Sequence, residues 1–282
     1  MIKRLTRHLL RPGAERVRHT IQDAQSRPVT ERLRILSFNM QAGMGMGQPH
    51  HYLTRSWQHV LPHPRNREHL ERIAQMLGSY DLVALQEVDG GSLRSAFVNQ
   101  VQHLADAAGF PFWYQQLNRD FGQLGQYSNG LLSRPLPFRI EEYELPGLRG
   151  RGALLGRYGG GEHPLVVLNL HLALSRRARE RQLGFIAELI EGEPHVVVMG
   201  DLNCNLAELA ESPLGRRDWR WLDDALPTYP SWRPSRQIDH ILVSPSLQIG
   251  EVAVIDTRLS DHRPLSLELI LPPDLCGLPR AS

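Results

Sequence analysis

Lysine is almost missing from this chain. Lys3 is the only one, so 31 of the 32 basic residues are arginines. The planar arginine fork suits bidentate phosphate recognition, but the bias runs through the whole chain and reads first as a codon preference of the source genome. Positive charge in excess is missing too. The formal net charge is +2, too small by itself to announce a polyanion binder. Cysteine is scarce: Cys204 and Cys276 give neither a disulfide framework nor zinc spacing, and their number is compatible with a reducing compartment. There is no His-Glu-x-x-His motif. No run of about 18 apolar residues exists, so no membrane-spanning helix is expected. The N-terminus has no apolar core long enough for a secretory signal. Internal repeats and low-complexity linkers are absent as well. These absences point to a cytoplasmic protein, expected as a monomer.

What is present is an ordinary globular composition, 41% hydrophobic and 22% charged, in a chain long enough to bury a substantial core. Residues 1–30 form a basic extension carrying Lys3, Arg4, Arg7, Arg11, Arg16 and Arg18. A rough helical stripe of Ile2, Leu5, Leu9, Val17 and Ile21 would allow weak peripheral contact with an anionic membrane through residues 1–25, although a frayed tail or a helix packed on the domain is the plainer reading. From residue 31 to 272 the patterning is continuous and predicts one domain, followed by a C-terminal tail over 273–282. Strand-like runs recur at 33–38, 82–86, 128–133, 153–158, 164–170, 195–200, 238–243, 250–256 and 264–270. Helical patterns occupy 65–77, 92–109 and 175–192, the second with Phe97, Val101, Leu104 and Ala108 on one face. The mixture predicts an α/β sandwich of packed sheets with covering helices.

The chemistry lies where apolar runs stop. "VVVMGDLNCN" turns from valine to Asp201 and Asn203; "LSFNM" ends at Asn39, "LVALQEVD" carries Glu87, and "LNLHL" reaches His171. "IDHILVS" opens with Asp239, and "SDHRPL" sets Asp261 and His262 before the last strand. Each alone has a bland reading, a turn former, a cap or a solvated strand end. Together they are carboxylates, amides and imidazoles beside buried runs, where ionised groups are stable only when paired or holding a metal. Such oxygen-rich sets select hard cations, and two histidines supply the proton transfers of phosphoester cleavage.

The ordered set "LSFNM", "LQEVD", "NGLLSR", "LNLHL", "GDLN", "IDHILVS", "SDHRPL" resembles the endonuclease/exonuclease/phosphatase superfamily over roughly residues 32–271. The resemblance implies a four-layered α/β sandwich, two mixed sheets face to face with flanking helices, and a Mg²⁺- or Mn²⁺-dependent phosphodiesterase or nuclease-like hydrolase. It implies that Glu87 is the main metal ligand, with Asn39 and Asp261 in the metal shell. Asp201 and Asn203 would orient nucleophile and phosphate, and His262 would be the general base, oriented by Asp239. His171 would contact the scissile phosphate or leaving group, and Asn129 would lie near the phosphate. If His262 must be neutral to act, activity is expected to rise near pH 6.5.

Substrate is left to the loops. The 40–65 insertion carries His50, His51, Trp57, His59 and His63 and reads equally as a lid or a packed surface loop. Arg149 and Arg151 would hold a second phosphate or decorate a hairpin. Trp232, with Tyr229, Arg233 and Arg236, would stack on a base or belong to a plain Pro-rich loop. The expected substrate is a nucleic acid or nucleotide. The alternatives are a phospholipid head group or inositol phosphate, and a non-catalytic binding module.

Overall fold

The computed structural model describes residues 32–41, 65–92, 95, 97–120, 126–147, 150–222, 226–276 and 278–280. The basic extension, the 42–64 part of the insertion with its histidines and Trp57, and Arg149 lie outside the described residues. Among the described residues, eleven strands and four helices follow in chain order: β1 (Arg32–Asn39), α1 (Arg65–Leu77), β2 (Leu82–Asp89), α2 (Gln100–Ala108), β3 (Phe112–Asp120), β4 (Gln126–Ser133), β5 (Pro137–Glu144), β6 (Gly152–Tyr158), β7 (Leu165–His171), α3 (Arg176–Leu189), β8 (His195–Asp201), α4 (Leu206–Glu211), β9 (Asp239–Val243), β10 (Gln248–Val254) and β11 (Leu265–Ile270). They make a six-stranded sheet, β10-β11-β1-β2-β4-β3, and a five-stranded sheet, β5-β6-β7-β8-β9.

Alternation of side chains across each strand builds the layers. In β8, Val197 and Met199 face the other sheet with Leu33, Ile35 and Ala84. Val196 and Val198 face the opposite way, onto Leu183 and Ile186 of α3. Leu36, Phe38, Val83 and Leu85 likewise face outward onto Ile73 and Leu77 of α1 and Leu104 of α2. Both faces of the central strands are therefore buried, which is why "VVV" needs no polar alternation. The order is helices, sheet, sheet, helices, an α/β sandwich as expected from the sequence. One polar link crosses its centre: Gln86 Nε2 donates to Asn169 Oδ1 at 2.8 Å, and Asn169 Nδ2 donates to the Leu85 and Gly130 carbonyls. Among the described residues, no helix is long and apolar enough to cross a membrane.

Three expectations change. The helix predicted from residue 92 begins at Gln100, because Asn99 caps it by accepting from Gln102 N and Asp89 holds the preceding turn through Gly91 N and Ser92 N. Phe97 is thus outside the helix and 59% exposed. Strands β3 and β5 were not among the expected runs; each lies at a sheet edge and carries several polar residues, as in "QQLNRD" and "RIEEYE". The segment expected as a C-terminal tail instead buries Leu275 and Leu278 between the sheets. It also bonds Leu136 N to Pro279 O and pairs Arg280 with Asp81 at 3.0 Å.

Arginine also does structural work. Arg134 donates to the carbonyls of Gly78 and Tyr80 after α1 and of Ala108 and Gly109 at the end of α2. One guanidinium so caps two helix C-termini, where free carbonyls favour a cation.

Candidate active site

Strand direction collects the site. Each sheet has one parallel pair, β1 with β2 and β7 with β8, and all its other pairs are antiparallel. The C-terminal ends of the parallel pairs carry Asn39, Glu87, His171 and Asp201. The antiparallel partners bring the N-terminal ends of β9, β11 and β6 to the same edge, and with them Asp239, the 260–263 turn and Arg151. Asp201 and Asp239 are direct register partners.

Local backbone then aims the side chains. Between Leu85 and Val88 the β2–β4 register shifts, with three steps on β2 matched by two on β4. Glu87 sits in this bulge with φ 54°, a left-handed conformation that costs a non-glycine residue energy and is tolerated where the surroundings enforce it. Gly200 has φ 144°, and a Cβ there would lie 1.9 Å from the Leu170 carbonyl. Glycine before Asp201 is therefore dictated by the β7–β8 contact. Asn203, φ 53°, accepts the left-handed turn because its N–H bonds Asp201 Oδ1 and its Nδ2 bonds Leu172 O.

Asp201 Oδ2 is the centre of the cluster. Asn39 Nδ2 donates to it at 3.0 Å, His171 Nε2 lies 3.6 Å away and His262 Nε2 3.9 Å. His171 Nε2 is also 3.7 Å from Glu87 Oε1. Asn39, expected in the metal shell, points its Nδ2 at Asp201 and Glu87, while its Oδ1 accepts from Gln41 N. On the other side His262 Nδ1 bonds Asp239 Oδ2 at 2.8 Å. Burial lowers the affinity of the His262 ring for a proton, but Asp239, by charge and hydrogen bond, with Asp201 and Asp261, outweighs it and carries the pKa up to about 10.

The dyad has supports that no sequence motif marked. Thr228, fully buried, donates its hydroxyl to Asp239 Oδ2 at 2.5 Å. The Tyr229 ring packs 4.9 Å from the His262 ring, centroid to centroid. Ser231 N donates to Asp261 O, and Ser260 Oγ donates to Asp261 Oδ1. The Pro-rich 226–237 loop is thus a brace behind the histidine. Trp232, in the same loop, is half-buried, and nothing among the described residues places it against the cluster. Only the loop's position just before Asp239 could have suggested Thr228.

A cleft of about 430 Å³ opens from Glu87 and His171 toward Asn118, Tyr127, Asn129 and Arg151. Arg151 is close enough to Glu87 to favour its ionised form. Of the residues predicted for the site, then, the structure gathers Asn39, Glu87, Asn129, Arg151, His171, Asp201, Asn203, Asp239, Asp261 and His262 along this edge.

The family model described as Endonuclease/Exonuclease/phosphatase family matches residues 36–262. The chain belongs to that family. Solved structures with the same fold include an endonuclease/exonuclease/phosphatase from Beutenbergia cavernae, 22% identical, covering 85% of this chain and 72% of that one with TM-score 0.65. D. rerio TDP2 complexed with a single-strand DNA product is 18% identical over 84% of this chain and 98% of that one, TM-score 0.62. A mannosyl-6-phosphatase from Bacteroides thetaiotaomicron is 18% identical over 85% and 100%, TM-score 0.61. No curated protein matches the sequence.

Endonuclease/exonuclease/phosphatase family members are hydrolases and generally depend on a divalent metal. The residues here fit such an ion. Burial pushes the Glu87 carboxyl above its usual range, with Asp261 adding to the effect and the Asn39 hydrogen bond opposing it. Burial also pushes Asp201 up to about 7, His262 opposing and Asp239 and Glu87 adding. Carboxylates strained in this way are relieved by a hard cation. Ligand atoms of Asp201, Asp239 and His262 also lie within 4.8 Å of one another, but Asp239 and His262 are already spent on each other through their hydrogen bond.

Proposed function

We propose that this chain is a divalent-metal-dependent phosphoester hydrolase, a phosphodiesterase of nuclease-like type acting on a nucleic acid or nucleotide. One observation carries the chemistry: the His262–Asp239 pair, whose free Nε2 faces Asp201 across 3.9 Å. A water held near Asp201 attacks phosphorus, and its O–H bond breaks toward His262 Nε2. Asp239 keeps the ring in the tautomer with hydrogen on Nδ1 and stabilises the imidazolium that forms. The P–O bond to the leaving group breaks, and that oxygen takes a proton from His171, whose Nε2 faces two carboxylates that favour a hydrogen there. Asn39 orients Glu87 and Asp201. Mg²⁺ or Mn²⁺ held by Glu87 and Asp261 would supply positive charge against the phosphoryl oxygens.

The nucleic-acid preference is supported by the shared fold of TDP2, solved with a DNA product. Incubation with Mg²⁺ or Mn²⁺ and a panel of single- and double-stranded DNA, RNA, sphingomyelin, phosphatidylinositol phosphates and bis-(p-nitrophenyl) phosphate tests it, with His262→Ala as control. Cleavage of nucleic acid by the wild type alone is expected. Cleavage of a lipid only would move the assignment to the head-group alternative. Binding without any turnover would make the chain a binding module and sink the hydrolase reading.

A further inference from the structure

The first turn of α3 carries an arginine that no local rule favours. Arg179 is 7% exposed, in a turn that has no acidic residue and whose N-cap, Ser175, makes no side-chain cap bond. A cation at a helix N-terminus opposes the helix dipole, and a buried one is stable only when paired. Its partners explain its place. Nη1 donates to Ala173 O at 3.4 Å and to Leu174 O, and Nη2 donates to Glu208 Oε2 at 3.0 Å. One guanidinium thus joins the exits of the two parallel strands β7 and β8: the chain just after His171, and α4, which follows Asp201. Gln182 of α3 holds the first exit too, accepting from Ala173 N at 2.9 Å. Before that, Leu172 N donates to Asp201 O and Leu172 O accepts from Asn203 Nδ2, each at 3.0 Å. Beyond Leu172 the chain enters α3 on polar bonds, since Leu174 is 76% exposed and gives no apolar anchor.

We propose that Arg179 is a positioning residue for the hydrolysis: by fixing the Ala173 and Leu174 carbonyls it sets where His171 presents its proton to the leaving oxygen, and Glu208 sets Arg179. A planar fork can serve these separate acceptors at once, which an ammonium does not. His171 Nε2 lies 3.6 Å from Asp201 and 3.7 Å from Glu87, and misplacing such a group by about 1 Å costs about 10²-fold in rate. The role rests on the hydrolase reading of the same site and extends it to a side chain that touches no substrate.

The full-length protein, with Mg²⁺ present, is assayed on diphenyl phosphate and on bis-(p-nitrophenyl) phosphate. Phenolate is the more basic leaving group and needs the proton of His171; p-nitrophenolate leaves without it. Arg179→Gln is expected to lose about 10²-fold in kcat on diphenyl phosphate and far less on the nitrophenyl ester. His171→Ala should show the same selective loss, and the double variant no further one, because the arginine acts through the histidine. Equal losses on the two esters, or an added selective loss in the double variant, overturn the role. Should Arg179→Gln fail to fold, Glu208→Ala, at a partly exposed side chain, is read in its place, with a smaller selective loss expected. The placement is read a second time without turnover, from the ring nitrogen resonances of His171, assigned by their loss in His171→Asn. They are expected to move in the Arg179 or Glu208 variant while those of His195, at the far end of β8, stay. Moved His171 resonances in a protein that cleaves no phosphoester would fail the hydrolase reading while upholding the placement. Hydrolysis with those resonances unmoved would do the reverse.

Discussion

Asp239 Oδ2 accepts from two buried donors at once, His262 Nδ1 at 2.8 Å and the Thr228 hydroxyl at 2.5 Å, while its Oδ1 has no partner among the described residues. The carboxylate is thereby committed to holding one imidazole.

That commitment sets a pH profile. His262 is drawn up to about 10, so the ring is expected to give up its proton above the ordinary histidine range, higher than the pH 6.5 expected from the sequence alone. The activity limb should therefore rise with pH at values well above 6.5. Asp239→Asn removes the main charge that raises it. The limb should move to lower pH while kcat falls by about 10²–10⁴-fold, the usual share of positioned acid–base catalysis. A limb that stays in place in the variant would count against the dyad.

Chelation should abolish turnover, and Mg²⁺ or Mn²⁺ should restore it. The same ion should raise Tm, by the equivalent of about 2.7 kcal/mol at one hundred times its Kd. In Glu87→Gln both the rescue and the thermal shift should shrink together. Thermal scans with and without chelator check this; a metal-dependent Tm that ignores Glu87 would place the ion elsewhere.

Asp201 should make the metal-free protein less stable as pH rises. Its folded pKa is raised above the unfolded value, so between about pH 4 and 7 the folded state holds a proton that the unfolded chain has released. Stability falls with pH through that window, and the penalty is complete above it. Asp201→Asn removes the slope. In chelator, the Tm difference between variant and wild type should grow in the variant's favour from pH 4.5 to 6.5, even as activity is lost.

Arg134→Ala should cost stability without touching chemistry. It deletes four charge-assisted bonds to the ends of α1 and α2. A loss of about 2 kcal/mol in denaturant unfolding is expected, with kcat unchanged under native conditions. Arg134→Lys should recover only a fraction, because an ammonium cannot span the carbonyls as the planar fork does.

Two glycines with positive φ should respond differently to alanine. At Gly200 the new Cβ meets the Leu170 backbone at 1.9 Å, whereas at Gly109 nothing lies within 4 Å. Gly200→Ala should prise β8 from β7, lowering Tm and activity together. Gly109→Ala should cost only about 1 kcal/mol of backbone strain and leave the rate alone.

The centre of each sheet was legible in the sequence because both of its faces are buried. "HVVVMGD" and "LVVLNLH" of one sheet and "LVALQEVD" of the other have no exposed face to break their apolar runs. Their polar ends stood out against that background, which is why Asp201, His171 and Glu87 could be named. The edges were not legible. "PFRIEEYE" forms β5 although Phe138 is 57% exposed, because its pairing comes from backbone hydrogen bonds with β6. Nor could periodicity reveal the bulge that turns Glu87. Thr228 escaped notice because a threonine in a Pro-rich loop carries no signal until the chain folds back on Asp239. The amide orientation of Asn39 depends on two carboxylates that converge only in three dimensions.

The parallel pairs give the last consequence. Asn39 and Glu87 hang from one sheet, and His171 and Asp201 from the other, so neither layer possesses a working half. The proposed turnover would in effect gauge the alignment between the layers, read out at one edge and pinned beneath by Gln86 and Asn169. A small slide of one layer over the other would extinguish the reaction while every strand and helix stayed intact.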